Sequence, residues 1–283
     1  MSLGDAQVTW PFRGHALRGA RRRKRAISPS LVGYVIGAYA FLYLPLVMTA
    51  FFSFTRGATT RFPIEGFTFS AYTRIIHDSD VVEGLKNSVH VGIAAAICAS
   101  VLAVPAALAV ARRQQRGLGT VMWFVVLPLC IPSLIQGIAL LSFFTVLHIT
   151  PSLDTVILAH TLYTAPVIFL ITRARLIDID PNIHEAARDL GASSIKTFWR
   201  ITLPLIRSAV LGAMLLAFAL SFDEFVLAFF TIGPQNTLPL VVFSQLRTGL
   251  DVPGLSALMT MLVAITASVV IIASRFTRVE VGR

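Results

Sequence analysis

The chain has 283 residues, of which 55% are hydrophobic and 13% charged, and its mean hydropathy is +0.77. Soluble domains carry about a quarter charged residues, so a water-soluble monomeric enzyme is excluded, as is a disordered chain, because aromatic and branched apolar residues abound. The net charge of +10 does not point to nucleic acid, since the basic residues stand at the borders of apolar runs, where membrane topology places them.

The composition is that of an all-α integral membrane protein. Crossing the hydrocarbon core takes about 20 apolar residues of helix, and six segments qualify. A basic tail over 1–30, with the cluster Arg-Arg-Arg-Lys-Arg at 21–25, precedes the first predicted span, 31–54. That stretch is too long for a signal-peptide core and no small-residue cleavage site follows it, so it reads as a permanent anchor at the start of a transmembrane domain over 31–283. Span two is predicted over 85–111 and span three over 121–145, kinked where Pro128 and Pro132 remove backbone donors. Span four follows over 154–172, span five over 208–232 and span six over 255–274. The apolar piece 237–246 is too short to cross and suits a re-entrant or interfacial segment.

Nineteen of the 24 lysines and arginines fall in the N-terminal tail, the two-three loop, the four-five loop and the C-terminal tail, and five fall in the opposite loops. Both termini and the four-five loop are therefore expected in the cytoplasm. The longest polar interval on the other side, 56–84, is too small for a solute-capturing domain, which must be another chain. Cys98 and Cys130 sit inside apolar runs and read as packing residues, and the histidines show no pairing that suggests a metal site. His90 and His160 read as packing or interfacial residues.

The four-five loop, 173–207, is neither disordered nor membrane-like in composition. Two short helices are predicted in it. Asp180 caps the first with Pro181 in its first turn, Glu185 lies where the helix dipole favours an acid, and Gly191 supplies a left-handed stop. Ser193 caps the second, which is expected to end near Pro204. The first helix is expected to bury Ala186, Ala187 and Ala192, and the second to present Phe198, Trp199 and Ile201. Small side chains at such a corner admit close approach by another body.

The string Glu185-Ala-Ala-Arg-Asp-Leu-Gly191-Ala-Ser-Ser-Ile-Lys-Thr-Phe-Trp-Arg-Ile-Thr-Leu203-Pro204 resembles the EAA loop of ATP-binding-cassette importer permeases, whose pattern is Glu-Ala-Ala, a glycine four residues later, then Ile-x-Leu-Pro. Ser221-Phe-Asp223-Glu224-Phe, the Gly233-Pro234 turn and Leu238-Pro239-Leu240 look like the spermidine/putrescine-type subfamily, in particular its second, C-type subunit. The likeness runs from the first span to the sixth, with the core region over 84–274, while the long basic tail departs from the shorter family pattern. The resemblance implies a type I ABC importer transmembrane fold with six spans. It implies a coupling helix that docks on a cytoplasmic ATPase, with Glu185, Ala186, Ala187, Asp189, Gly191, Ala192 and Phe198 as coupling residues. It further implies a homologous permease as heterodimer partner, two ATPase subunits that bind ATP and Mg, and an extracytoplasmic solute-binding protein. The location implied is the bacterial inner membrane, the solute a polyamine or related small organic compound, and the mechanism alternating access.

No Gly-Lys dipeptide occurs, so the phosphate-cradling G-x-x-x-x-G-K-[ST] loop is absent and the chain is not expected to be the ATPase or to bind a cofactor itself. The G-x-S-x-G and H-E-x-x-H signatures are missing as well, and no catalytic residue is assigned. Asp223 and Glu224 interrupt an otherwise apolar span, and acids so placed face a cavity or a partner. They read as lining a cation pathway, with Phe222, Tyr39, Tyr43 and Gln136 as further candidates; the alternative is that one pairs with a base such as Arg247 or caps a broken helix. Neighbours on a helix point about 100° apart, so at most one faces the pathway squarely. An ion-coupled carrier or channel without an ATPase is the rival reading. The helix-loop-helix at the Gly191 corner argues against it, because a carrier has no use for such a docking surface.

Overall fold

The computed structural model describes residues 28–56, 66–112, 118–248 and 252–278. The basic tail therefore lies outside the described residues up to position 27. The chain divides into two compact units, 1–44 and 45–283. Helix α1 (Pro29–Phe52) carries that division at Pro45. In the first unit its side chains, including Tyr34, Ile36, Phe41 and Leu42, are exposed on all sides, which suits a helix surrounded by lipid.

In the second unit, α2 (Ser70–His77) abuts α3 (Ser79–Arg112). Asp78 Oδ1 between them accepts the backbone N–H groups of Asp80 at 2.9 Å and Val81 at 3.3 Å. This cap starts α3 upstream of the expected residue 85. The expected single kinked third span is instead two helices, α4 (Leu118–Cys130) and α5 (Ser133–Val146), bent by 107°. Pro132 is extended (φ −53°, ψ 136°) and has no N–H for the Pro128 carbonyl, so the chain turns a corner there. Helix α6 (Leu153–Ile177) begins with a capping box between Ser152 and Thr155 and outruns the expected 154–172.

Next come α7 (Pro181–Asp189), α8 (Ser194–Thr197), a π-helical turn (Phe198–Thr202) and α9 (Leu203–Asp223). Pro204 does not end the second loop helix as expected, for Ser194–Asp223 is one apolar helical run of 30 residues. The π turn closes with the Leu203 N–H on the Phe198 carbonyl, and this wider turn accommodates a proline whose ring would crowd the carbonyl four residues back. The fifth span then breaks at Glu224 and Phe225 before α10 (Val226–Thr231), where an unbroken helix to 232 was expected. Helix α11 (Leu238–Thr248) is the short apolar piece, and α12 (Val252–Arg278) is longer than the expected 255–274. Among the described residues, five helices are long and apolar enough to cross a membrane, and the number is six where the bent α4–α5 pair is counted as one broken span.

Helices α3, α6 and α9 form the main core. Ala99, Ala103 and Ala107 recur every four residues on α3 and are buried with Ile168 and Phe169 of α6 and Ile206, Ala213 and Ala217 of α9. Lipid tails are as apolar as leucine, so association rests on close van der Waals contact, which small residues at this spacing permit. A second cluster joins Ala71, Ile75, Val81, Phe222, Leu238, Val241, Ala257 and Leu258. The far ends of α6 and α10 are tied where Thr155 Oγ1 donates to the Thr231 carbonyl at 2.6 Å. A Cβ on Gly233 would collide with the Pro151 carbonyl oxygen, so only glycine fits that crossing.

Candidate functional site

The corner between α7 and α8 is built entirely from local signals. Asp180 accepts the Asn182 N–H at 2.9 Å, with Pro181 in the first turn. At the other end, Ala192 N–H bonds the Ala187 carbonyl at 3.0 Å and Gly191 N–H the Arg188 carbonyl at 2.8 Å. That pair of bonds is a Schellman stop, and it requires the left-handed φ of 76° that Gly191 adopts. Ser193 then accepts the Lys196 N–H at 3.3 Å and starts α8. The corner is thus rigid as well as exposed.

Of the three alanines expected to be buried, only Ala187 is; Ala186 is exposed and Ala192 half-buried. Glu185, Asp189 and Gly191 are exposed and Phe198 is half-buried, its ring edge-on to Trp199 at 5.3 Å. A Cβ on Gly191 would meet nothing within 4 Å. Two residues that sequence reasoning missed complete the face: Leu190 is 88% exposed and Ile195 74% exposed. Each adjoins a cap, Leu190 preceding the Gly191 stop and Ile195 opening α8, and helix ends leave such side chains outside the core.

The second candidate site is a cavity of about 460 Å³ whose walls include Leu46, Thr49, Asp223, Phe225, Pro239 and Thr260. Asp223 is the last residue of α9 and, among the described residues, the only acid on these largely apolar walls. Glu224 plays a different part. Its Oε1 accepts the N–H groups of Val226 at 3.0 Å and Leu227 at 3.1 Å, which caps α10 at the break. The two acids are separated by the break itself, one toward the cavity and one toward the backbone. The preceding turn is pinned where His160 Nδ1 and Ser221 Oγ share a hydrogen bond of 2.7 Å, both side chains buried.

Two other pathway candidates have structural places. Phe222 is 1% exposed, stacked on Phe218 in the core, and not on the cavity wall. Adjacent positions on α9 face different ways, and Asp223 takes the open side. Gln136 is buried at the α4–α5 corner, where its Nε2 donates to the carbonyls of Pro128 and, at 2.8 Å, Ile131. It supplies the donor that Pro132 lacks. Tyr39 and Tyr43 lie in the first unit, exposed and stacked with ring centroids 6.1 Å apart. Among the described residues no cluster of three or more His, Cys, Asp or Glu could hold a metal ion.

The family described as the binding-protein-dependent transport system inner membrane component matches residues 99–280. The chain belongs to this family. The permease is 32% identical over 243 residues, covering 83% of this chain and 86% of the relative, to the putrescine transport system permease protein PotI of Escherichia coli strain K12. It is 29% identical over 248 residues, 87% of this chain and 95% of the relative, to the spermidine/putrescine transport system permease protein PotC of Haemophilus influenzae. Its fold matches a chain of a bacterial ABC transporter involved in import of the acidic polysaccharide alginate, with TM-score 0.68, 16% identity, and 88% and 98% of the two chains covered. A chain of the MetNI methionine ABC transporter matches with TM-score 0.60 at 16% identity over 70% of this chain and 95% of that one. The permease therefore has the type I ABC importer transmembrane fold.

The break at Glu224 yields a prediction. Glu224→Ala removes an acceptor from two backbone donors and should lower stability by about 1 kcal/mol, read as a lower thermal unfolding midpoint in detergent. Glu224→Gln keeps an acceptor oxygen and should stay near wild type. Equal losses in the two variants, or none in either, would contradict the capping role.

Proposed function

We propose that this permease is the membrane subunit of an ATP-driven importer for a polyamine such as putrescine or spermidine, working by alternating access. The single observation that carries the reading is the rigid, solvent-exposed corner at Gly191, flanked by Leu190 and Ile195. Apolar side chains exposed to this degree beside a fixed turn suit a protein partner. In this reading the partner is a cytoplasmic ATPase that binds ATP and Mg, and Glu185, Ala186, Asp189, Ala192 and Phe198 belong to the same docking face, with Ala187 buried beneath it. Both termini and the loop 173–207 lie in the cytoplasm of a bacterial inner membrane, as the asymmetry of basic residues favours. A related permease subunit completes the pathway, and a separate binding protein delivers the solute from outside.

The polyamine assignment draws on the named relatives and on Asp223. A polyamine combines ammonium groups with an aliphatic chain, and a mostly apolar cavity with one carboxylate complements both parts. An ammonium group that sheds water needs a compensating charge.

Two outcomes are expected in the complex purified with its ATPase and reconstituted in vesicles. Gly191→Leu places a branched side chain at a left-handed position and on the docking face, so stimulation of ATP hydrolysis by the solute-loaded binding protein should disappear while that protein still binds solute. Stimulation at the wild-type level would overturn the docking assignment. Asp223→Asn keeps the shape of the cavity wall and removes its charge, so putrescine uptake should fall about tenfold or more in a fully assembled complex. Unchanged uptake would remove Asp223 from the pathway and point to a neutral or anionic solute.

A further inference from the structure

Helix α7 and the run from α8 to α9 lie on opposite sides of the Gly191 corner, and a side-chain bond crosses between them. His184 Nε2 on α7 is 3.0 Å from Thr202 Oγ1, the last residue of the π turn. Thr202 is fully buried, and its hydroxyl lies 3.0 Å from His184 Nε2 and 3.5 Å from the Thr197 carbonyl. The bond therefore joins the face proposed for docking to the base of the helix that ends at Asp223.

The place it joins is itself unusual. A π turn has one more residue in its hydrogen-bonded ring than an α turn. The turn at Phe198–Thr202 is the one departure from α geometry within the 30-residue run Ser194–Asp223. Beyond it, α9 continues as α-helix to the cavity wall. A displacement of α7 applied at Thr202 acts at the start of α9, and a change there is delivered along that helix to Asp223. Arg175 Nε also donates to the Leu205 carbonyl at 3.4 Å, so α6 steadies the other side of the same segment.

We propose that the His184–Thr202 hydrogen bond is the strut that carries movement of α7 into the π turn and along α9 to the cavity, with His184 a positioning residue for coupling. The proposal rests on the docking reading of the Gly191 corner. It separates two tasks within one loop: the exposed residues at the corner receive the partner, and the His184–Thr202 bond transmits.

The test uses the complete complex, recovered through a tag on the ATPase subunit so that only assembled material is read. A cysteine replaces Thr260 on the cavity wall in a background lacking Cys98 and Cys130. The readout is the change in maleimide labelling at position 260 when ATP and vanadate are added, which does not depend on the identity of the solute. His184→Ala and Thr202→Val should each reduce that change about fivefold, as expected for the loss of one hydrogen bond, and the double variant should lose no more than either single. His184→Gln, whose amide nitrogen can take the place of Nε2, should restore most of it. For a complex that does not assemble with His184→Ala, Thr202→Val set against Thr202→Ser, which keeps the hydroxyl, makes the same comparison. Wild-type labelling changes in both single variants, or losses that add in the double variant, would overturn the strut. Failure of the docking reading shows separately, as a wild-type response in Gly191→Leu.

Discussion

A helix that ends in apolar surroundings leaves backbone N–H and carbonyl groups with no water to satisfy them, so each break in a membrane-spanning chain must bring its own partner. The important corners of this permease follow from that requirement. At the α4–α5 bend the Pro128 carbonyl loses the donor that Pro132 cannot supply, and Gln136 provides one. At the α9–α10 break the freed N–H groups of Val226 and Leu227 are taken by Glu224. At the start of α11 the Leu238 N–H goes to Ser88 at 2.8 Å. These polar side chains fix where the helices stop, and the stops decide what lines the cavity.

The same logic joins the loop to the cavity. Because the π turn absorbs Pro204, the helix that starts at Ser194 does not stop at the loop boundary but continues to Asp223. The corner at Gly191 and the carboxylate at the cavity are thus the two ends of one continuous structural path. The α3–α6–α9 core, packed through alanines, holds that path against its neighbours. An ion-coupled carrier has no need of such an arrangement, whereas in the proposed ATPase-driven permease it connects the docking corner to the cavity.

The loop corner was legible in the sequence because every device in it is local: Asp180 with Pro181, Gly191 and Ser193 each carry their meaning within a few residues. The spans were legible from length and hydropathy, and the motif around Glu185 and Gly191 pointed to the family to which the chain belongs. What sequence reasoning missed was set by tertiary context or by side chains acting on a distant backbone. The break after Asp223 contains neither glycine nor proline, and only the adjacent acids hint at it, through the alternative in which one of them caps a broken helix. Pro204 looked like a stop and proved to lie within a continuous run, since a π turn cannot be read from composition. Phe222 and Gln136 read as pathway residues in the sequence because they sit near polar or kinked positions. The direction each faces depends on neighbours such as Phe218 and on the Pro128 carbonyl, to which Pro132 has no N–H to give. Asp223 and Glu224, adjacent and chemically alike, differ only through the cap that claims one of them.

Coupling to an ATP-hydrolysing partner depends most on the Gly191 corner being a docking surface. A photoreactive amino acid at Leu190, the most exposed apolar side chain of that corner, tests it directly, with the same probe at Val146, an equally apolar residue that is 76% exposed at the end of α5, as the control. In membranes containing the whole complex, illumination should join the permease to the ATPase subunit from position 190 and not from position 146. Cross-linking to the ATPase from 146 but not from 190 would contradict the account.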